Sequence, residues 1–232
     1  MNSATSELSQ PPVESGHPAR LTATLDHPLS RWLWLVKWLL ALPHVVVLAF
    51  LWVAFVALSV VALFAVLLTG RYPRVLFDFN VGVLRWSWRV SYYAYGALAT
   101  DRYPPFTLAD VPDYPAHWEL GYPERLSRGN VLVKWWLLAV PHYLVLGFLL
   151  GGVRVPWVAG GLIGLLALFA GISLAFTGRY PQGLFDLVTG LNRWVLRVAA
   201  YAALLTDVYP PFRLEQGGSE TGRADPEKEF TS

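Results

Sequence analysis

Four arginines and two aspartates, spaced for one helical face, are the residues of this chain best placed to do chemistry. At 100° per residue, Asp78, Gly82, Arg85, Arg89 and Gly96 fall in one narrow stripe, and Asp186, Gly190, Arg193 and Arg197 fall in another. Guanidinium groups arrayed this way bind phosphate oxygens or carboxylates. Arg85, Arg89, Arg193 and Arg197 are therefore candidate contacts for anionic lipid headgroups or an acidic partner, or snorkelling groups that only set the depth of a helix. Arg71 and Arg179 read as positive anchors or as partners of Asp78 and Asp186 in structural charge pairs. His44 and His142 each follow a proline in apolar sequence and read as proton relays or as buried imidazoles. No catalytic set emerges: there is no Gly-rich phosphate loop, nucleophile elbow or paired-His metal motif, so no enzyme, metal or cofactor is expected.

The elements that must position these residues come from one unit written twice. The first copy reads Leu29-Ser30-Arg31, Leu35-Val36-Lys37-Trp38 and Ala41-Leu42-Pro43-His44. It continues through an apolar run to Thr69-Gly70-Arg71-Tyr72-Pro73, Leu76-Phe77-Asp78, Arg85-Trp86, Arg89-Val90, Thr100-Asp101 and Tyr103-Pro104-Pro105-Phe106. The second repeats it as Leu126-Ser127-Arg128, Leu132-Val133-Lys134-Trp135 and Ala139-Val140-Pro141-His142. It ends Thr177-Gly178-Arg179-Tyr180-Pro181, Leu184-Phe185-Asp186, Arg193-Trp194, Arg197-Val198, Thr206-Asp207 and Tyr209-Pro210-Pro211-Phe212. The organisation expected is a polar segment 1–28, membrane repeat 29–108, a cytoplasmic linker 109–121, membrane repeat 122–214 and a disordered tail 215–232. Leu21–Leu25 and His117–Leu120 read as short strands.

These paired blocks resemble the bacterial membrane-protein family catalogued as domain of unknown function 4389, over about Leu29 to Leu214. The resemblance implies a bacterial cytoplasmic membrane location and supplies no activity.

Composition points the same way. Hydrophobic residues make up 55% and charged residues 15%, too little charge to cover a soluble protein of 232 residues. The 11 Trp and 11 Tyr suit a membrane–water boundary, and a net charge of +2 gives no reason to expect nucleic acid. Disulfides and thiolate metal sites are excluded because there is no Cys. The first thirty residues hold no apolar core of a cleaved signal.

In the second copy Gly151-Gly152-Val153-Arg154-Val155-Pro156 reads as a turn that divides Val131–Leu150 from Trp157–Phe176, giving a transmembrane hairpin. By analogy the first copy is a hairpin of Trp32–Phe50 and Leu51–Leu68, although nothing between Phe50 and Val53 resembles a turn. The rival is an interfacial helix, Arg31–Leu42, followed by one span from His44 to Leu68. Two hairpins put nearly all cationic residues and both termini on the cytoplasmic side. The helices carrying the arginine stripes are expected to lie in the membrane plane, because two arginines per carboxylate leave unpaired charge.

The fold class expected is thus an all-α integral membrane protein with a tandem duplicated unit, each copy a transmembrane helical hairpin plus an amphipathic helix. The function expected is a non-enzymatic membrane scaffold or interaction module. Its partners would be the lipid bilayer, anionic headgroups, other membrane proteins or a second copy of itself. The alternative is a small transporter or channel with its pathway between the repeats.

Overall fold

The computed structural model describes residues 17–134, 140–151 and 161–211. Its elements in chain order are strand β1 (Ala19–Ala23), helices α1 (Trp34–Leu40), α2 (Leu42–Thr69) and α3 (Arg74–Ala94), strand β2 (Ala116–Leu120), and helices α4 (Arg128–Val133), α5 (Val140–Leu150), α6 (Leu162–Thr177) and α7 (Gln182–Ala202). The C-terminal tail, the N-terminal sixteen residues and most of the expected turn after Gly151 lie outside the described residues.

Glycine and proline punctuate both copies alike. Pro43 sits in the first turn of α2, where its missing N–H costs no hydrogen bond. Gly70 and Gly178 close α2 and α6 with φ of 72° and 69°, a left-handed conformation that a residue with a Cβ adopts only at a cost. Pro73 and Pro181 then start α3 and α7, which fold back antiparallel to the helices before them.

The first copy corrects the expected hairpin. Its apolar run is one helix of 28 residues, about 42 Å long at 1.5 Å per residue, because Phe50 to Val53 holds no Gly or Pro to break it. The short α1 before it matches the rival reading. The second copy departs from a hairpin too. The twin stripes of buried residues, His44, Leu48, Phe55, Ala62 and Val66 on α2 and His142, Leu149, Ile163, Ala170 and Leu174 on α5 and α6, face α3 and α7 respectively. Gly161 returns onto the backbone of Leu149 and Gly151, so a Cβ there would overlap Leu149 O and Gly151 N. Helix α6 therefore resumes where α5 stops, and the pair takes the place of α2 with ten additional residues inserted at the break.

Strands β1 and β2 pair antiparallel, Leu21 opposite Trp118, and form the third layer, close to where short strands are expected. Alternate residues point inward, with Ala19, Leu21, Ala23, Ala116 and Trp118 buried, while Arg20, Thr22 and Glu119 face outward and exposed. The chain is a three-layer stack: α2, α5 and α6 outside, α3 and α7 in the middle, the strands beyond. A local twofold passes near the Leu21–Trp118 pair. It makes α2 antiparallel to α5 and α6: Arg128, opening the second copy, lies against Gly70, and Arg31, opening the first, lies against Gly178.

Candidate membrane-docking face

The arginine stripes turn inward. Arg89, Arg193 and Arg197 are buried and Arg85 nearly so. On α3 the stripe faces the strand layer, where Gly82 leaves room for Leu108, whose Cβ would sit 2.8 Å from an added Cβ. Arg85 donates to Trp118 O at 2.9 Å and Leu108 O at 3.0 Å, and its Nε lies 3.8 Å from Asp110. Arg89 donates to Ala109 O at 3.1 Å and to Thr107 O. Across the twofold, Arg193 donates to Leu21 O at 3.2 and 3.4 Å. Each middle helix thus holds the strand that precedes the other copy. Buried strand carbonyls need donors, and arginine reaches several with one charge. In these positions Arg85, Arg89 and Arg193 face protein carbonyls instead of headgroups and Arg197 is buried, which corrects the expected placement of the stripe.

The expected charge pairs also change partners. Asp78 is bonded by Arg74 at 3.2 Å on the exposed first turn of α3, and Asp186 accepts from Gln182 at 2.9 Å. Both are i,i+4 contacts, closer in the helix than the arginine before the proline can come. Arg71 and Arg179 stand exposed at the layer's two ends.

Sequence reasoning missed a second pair of stations. Lys37 Nζ, buried, lies 2.8 Å from Asp101 Oδ1 and 2.7 Å from Thr100 O, and 5.3 Å above the Tyr93 ring. In the second copy Lys134 meets Asp207, donates to Thr206 O at 3.1 Å and lies 5.1 Å above Tyr201. The free oxygens of the two carboxylates take Ser30 N at 2.6 Å and Ser127 N at 2.7 Å. Burial pushes both ammonium groups below the usual lysine range, and the paired aspartates pull them partly back. His44 accepts from Trp86 Nε1 at 3.2 Å and stacks on Phe106 at 3.8 Å, while His142 stacks on Trp194 at 5.5 Å and meets Tyr209. The Leu-Ser-Arg, Lys-Trp, Pro-His and Thr-Asp-x-Tyr-Pro-Pro blocks therefore converge on one lock per copy. Leu98 and Leu204, at φ of 58° and 62°, turn the chain into it at twin positions. The signal available in the sequence was the recurrence of Lys and Asp at matched places.

What the layers leave outward is unequal. Among the described residues, twelve exposed large apolar side chains stand on α2, five on α1 and eleven on α5 and α6, against one on α3 and none on α7 or the strands. Phe50 is 73%, Leu68 77% and Phe176 85% exposed. Helix α2 is the one described helix long and apolar enough to cross a membrane by length and composition. Trp32 and Trp38 are exposed at the start of this layer. At its ends, Arg71, Arg125 and Arg128 gather round Gly70, and Arg31 and Arg179 flank Gly178.

No curated protein and no solved structure matches the chain. The family model described as "Domain of unknown function (DUF4389)" matches it twice, over residues 31–107 and 135–213; the first match takes in both Lys37 and Asp101, and the second takes in Asp207 and begins one residue after Lys134. With two matches covering more than half its length, the chain belongs to the DUF4389 family.

Proposed function

We propose that this protein is a non-enzymatic membrane module that seats its α1–α2 and α5–α6 layer in one leaflet and presents its strand layer to water as a surface for partners. The observation that carries the reading is the opposition of two faces across α3 and α7: exposed Val, Leu and Phe on one side, Arg20, Thr22 and Glu119 on the other. Soluble monomers rarely expose apolar patches beyond a few hundred Å². Each large apolar side chain taken out of water contributes on the order of 1 kcal/mol when half buried, so a layer of this extent holds firmly.

Seating flat is favoured over spanning by the same geometry. Helix α3 packs along α2, and β2 packs along α3, from Tyr122 against Phe77 to Trp118 at Arg85. Were α2 upright, Arg20 and Glu119 would come to the hydrocarbon midplane, where each charge costs at least about 3 kcal/mol. Lying flat, the layer sinks its apolar face by about 5–10 Å, the depth at which interfacial helices sit. It also gathers Arg31, Arg71, Arg125, Arg128 and Arg179 onto one aqueous side, although antiparallel helices hold them at opposite ends.

A fluorophore attached at Val53→Cys or Phe169→Cys in liposomes is expected to be quenched by lipids brominated in the acyl chain, while one at Glu119→Cys is quenched by aqueous iodide alone. Acyl-chain quenching at Glu119 overturns the reading. Transport is the second reading, favoured by one observation: a cleft of about 530 Å³ between the copies, where Trp52, Ser87 and Leu146 meet Asn192 and Leu196. Solute flux in proteoliposomes that Asn192→Leu abolishes would replace the first reading with this one.

A further inference from the structure

We propose that Arg71, Arg125 and Arg128 form a binding cleft for a phosphate group, with a smaller twin at Arg31 and Arg179; the inference rests on the membrane seat described above. Thr69, Gly70, Arg71, Arg125, Leu126 and Arg128 enclose about 430 Å³. The fold builds this cleft from both copies. Leu126 N donates to Gly70 O at 3.0 Å, which ties the linker onto the end of α2 and brings Arg125 and Arg128 beside Arg71. Gly70 has no side chain, and Arg128 Nε lies 3.4 Å from where its Cβ would be.

Arg128 has a structural reason to be there, since the C-terminus of a helix favours a cation. Arg71, next after the Gly70 cap, shares that reason, and Arg125 adds a third cation beyond it. No carboxylate lies within ion-pair distance of any of the three among the described residues, where the ion pairs involve Lys37, Lys134, Arg74, Arg85, Arg102 and His117. Three like charges held round one hollow repel each other, and a phosphate anion with two or more free oxygens relieves that repulsion through charge-assisted bonds. The twofold gives the arrangement a second instance: at Gly178, the Arg31 guanidinium lies 2.6 Å from the place of a Cβ, with Arg179 next in the chain. Both clefts stand at the ends of the apolar layer, beside the Gly caps of α2 and α6. A phosphodiester headgroup above the acyl chains fits that position. A soluble phosphate has the same chemistry.

The test uses the full chain and vesicles of phosphatidylcholine with or without phosphatidylglycerol. Arg71→Gln with Arg125→Gln keeps Arg128 at the helix end and removes the other two cations. It should weaken the preference for phosphatidylglycerol about 25-fold, at roughly fivefold per arginine near an anionic surface. The charge-matched variant Arg20→Gln with Arg102→Gln should change it less than twofold. An unchanged preference in the first variant, or an equal loss in the second, overturns the cleft. Competition by millimolar inorganic phosphate, lost in the first variant, upholds the cleft and assigns it a soluble phosphate. A parent chain that binds neither vesicle sinks the membrane seat, and the cleft is then judged by calorimetry with inorganic phosphate, no heat of binding overturning it.

Discussion

Removing the carboxylate from one lock tests how the two copies are held closed. In Asp101→Ala the Lys37 ammonium keeps Thr100 O at 2.7 Å and the Tyr93 face at 5.3 Å but loses the carboxylate that pairs with it. Breaking a buried ion pair by deleting one partner costs about 3–5 kcal/mol. The Asp101 side chain is 27% exposed, so water partly replaces it and about 3 kcal/mol is the better figure. In a chain of this length that lowers the Tm by about 6–12 °C. Lys37→Met removes the charge and leaves Asp101 its bond from Ser30 N, at a cost of about 1–2 kcal/mol. The double variant should be no worse than Lys37→Met, because no unpaired charge remains. Thermal or urea unfolding in neutral detergent, followed by tryptophan fluorescence, gives the cycle; coupling of about 3 kcal/mol is expected. Single-variant losses that simply add, within about 0.5 kcal/mol, refute the lock.

Three further outcomes follow from the layers. Arg193→Gln withdraws the donors from Leu21 O and should raise amide exchange across Ala19–Ala23 and its partner Ala116–Leu120, at a stability cost of about 1.5–3 kcal/mol; unchanged exchange there contradicts the cross-brace. Gly178→Ala places a Cβ on a left-handed residue and against Arg31, and should cost about 1–2 kcal/mol by denaturant unfolding. Deleting residues 151–160 joins Leu150 to Gly161 in the register of α2. Helicity by circular dichroism should persist and the unfolding midpoint should stay within a few degrees, whereas a hairpin would lose its turn and collapse.

How far the sequence could be read follows from the kind of signal each feature left. Gly70, Pro73, Gly178 and Pro181 act locally, so the ends of α2 and α6 and the starts of α3 and α7 were legible. The strands were legible from short alternation near Leu21 and His117. The arginine stripe was legible as a stripe, but its covering was not: Arg85 and Arg193 are satisfied by carbonyls of Trp118 and Leu21, which belong to strands far along the chain. An amphipathic period says that one face differs, and only tertiary contact says whether lipid, water or a sheet meets it. The same holds for the apolar runs, where length and composition read as hairpins while the ten-residue insertion hid a broken helix. Lys37 and Lys134 recur at matched places, but their partners lie at Asp101 and Asp207, beyond the reach of any local pattern.

Sidedness of twin sites tests the single-leaflet seat most directly, and the Cys-free chain makes it clean. Val75→Cys and Gly183→Cys mark the starts of α3 and α7, exposed at opposite ends of the molecule. In sealed vesicles carrying protein of one orientation, an impermeant maleimide added outside should label both or neither. Labelling of one site from outside and of the other only after the vesicles are opened would mean that α2 crosses the bilayer and that the flat seat is wrong.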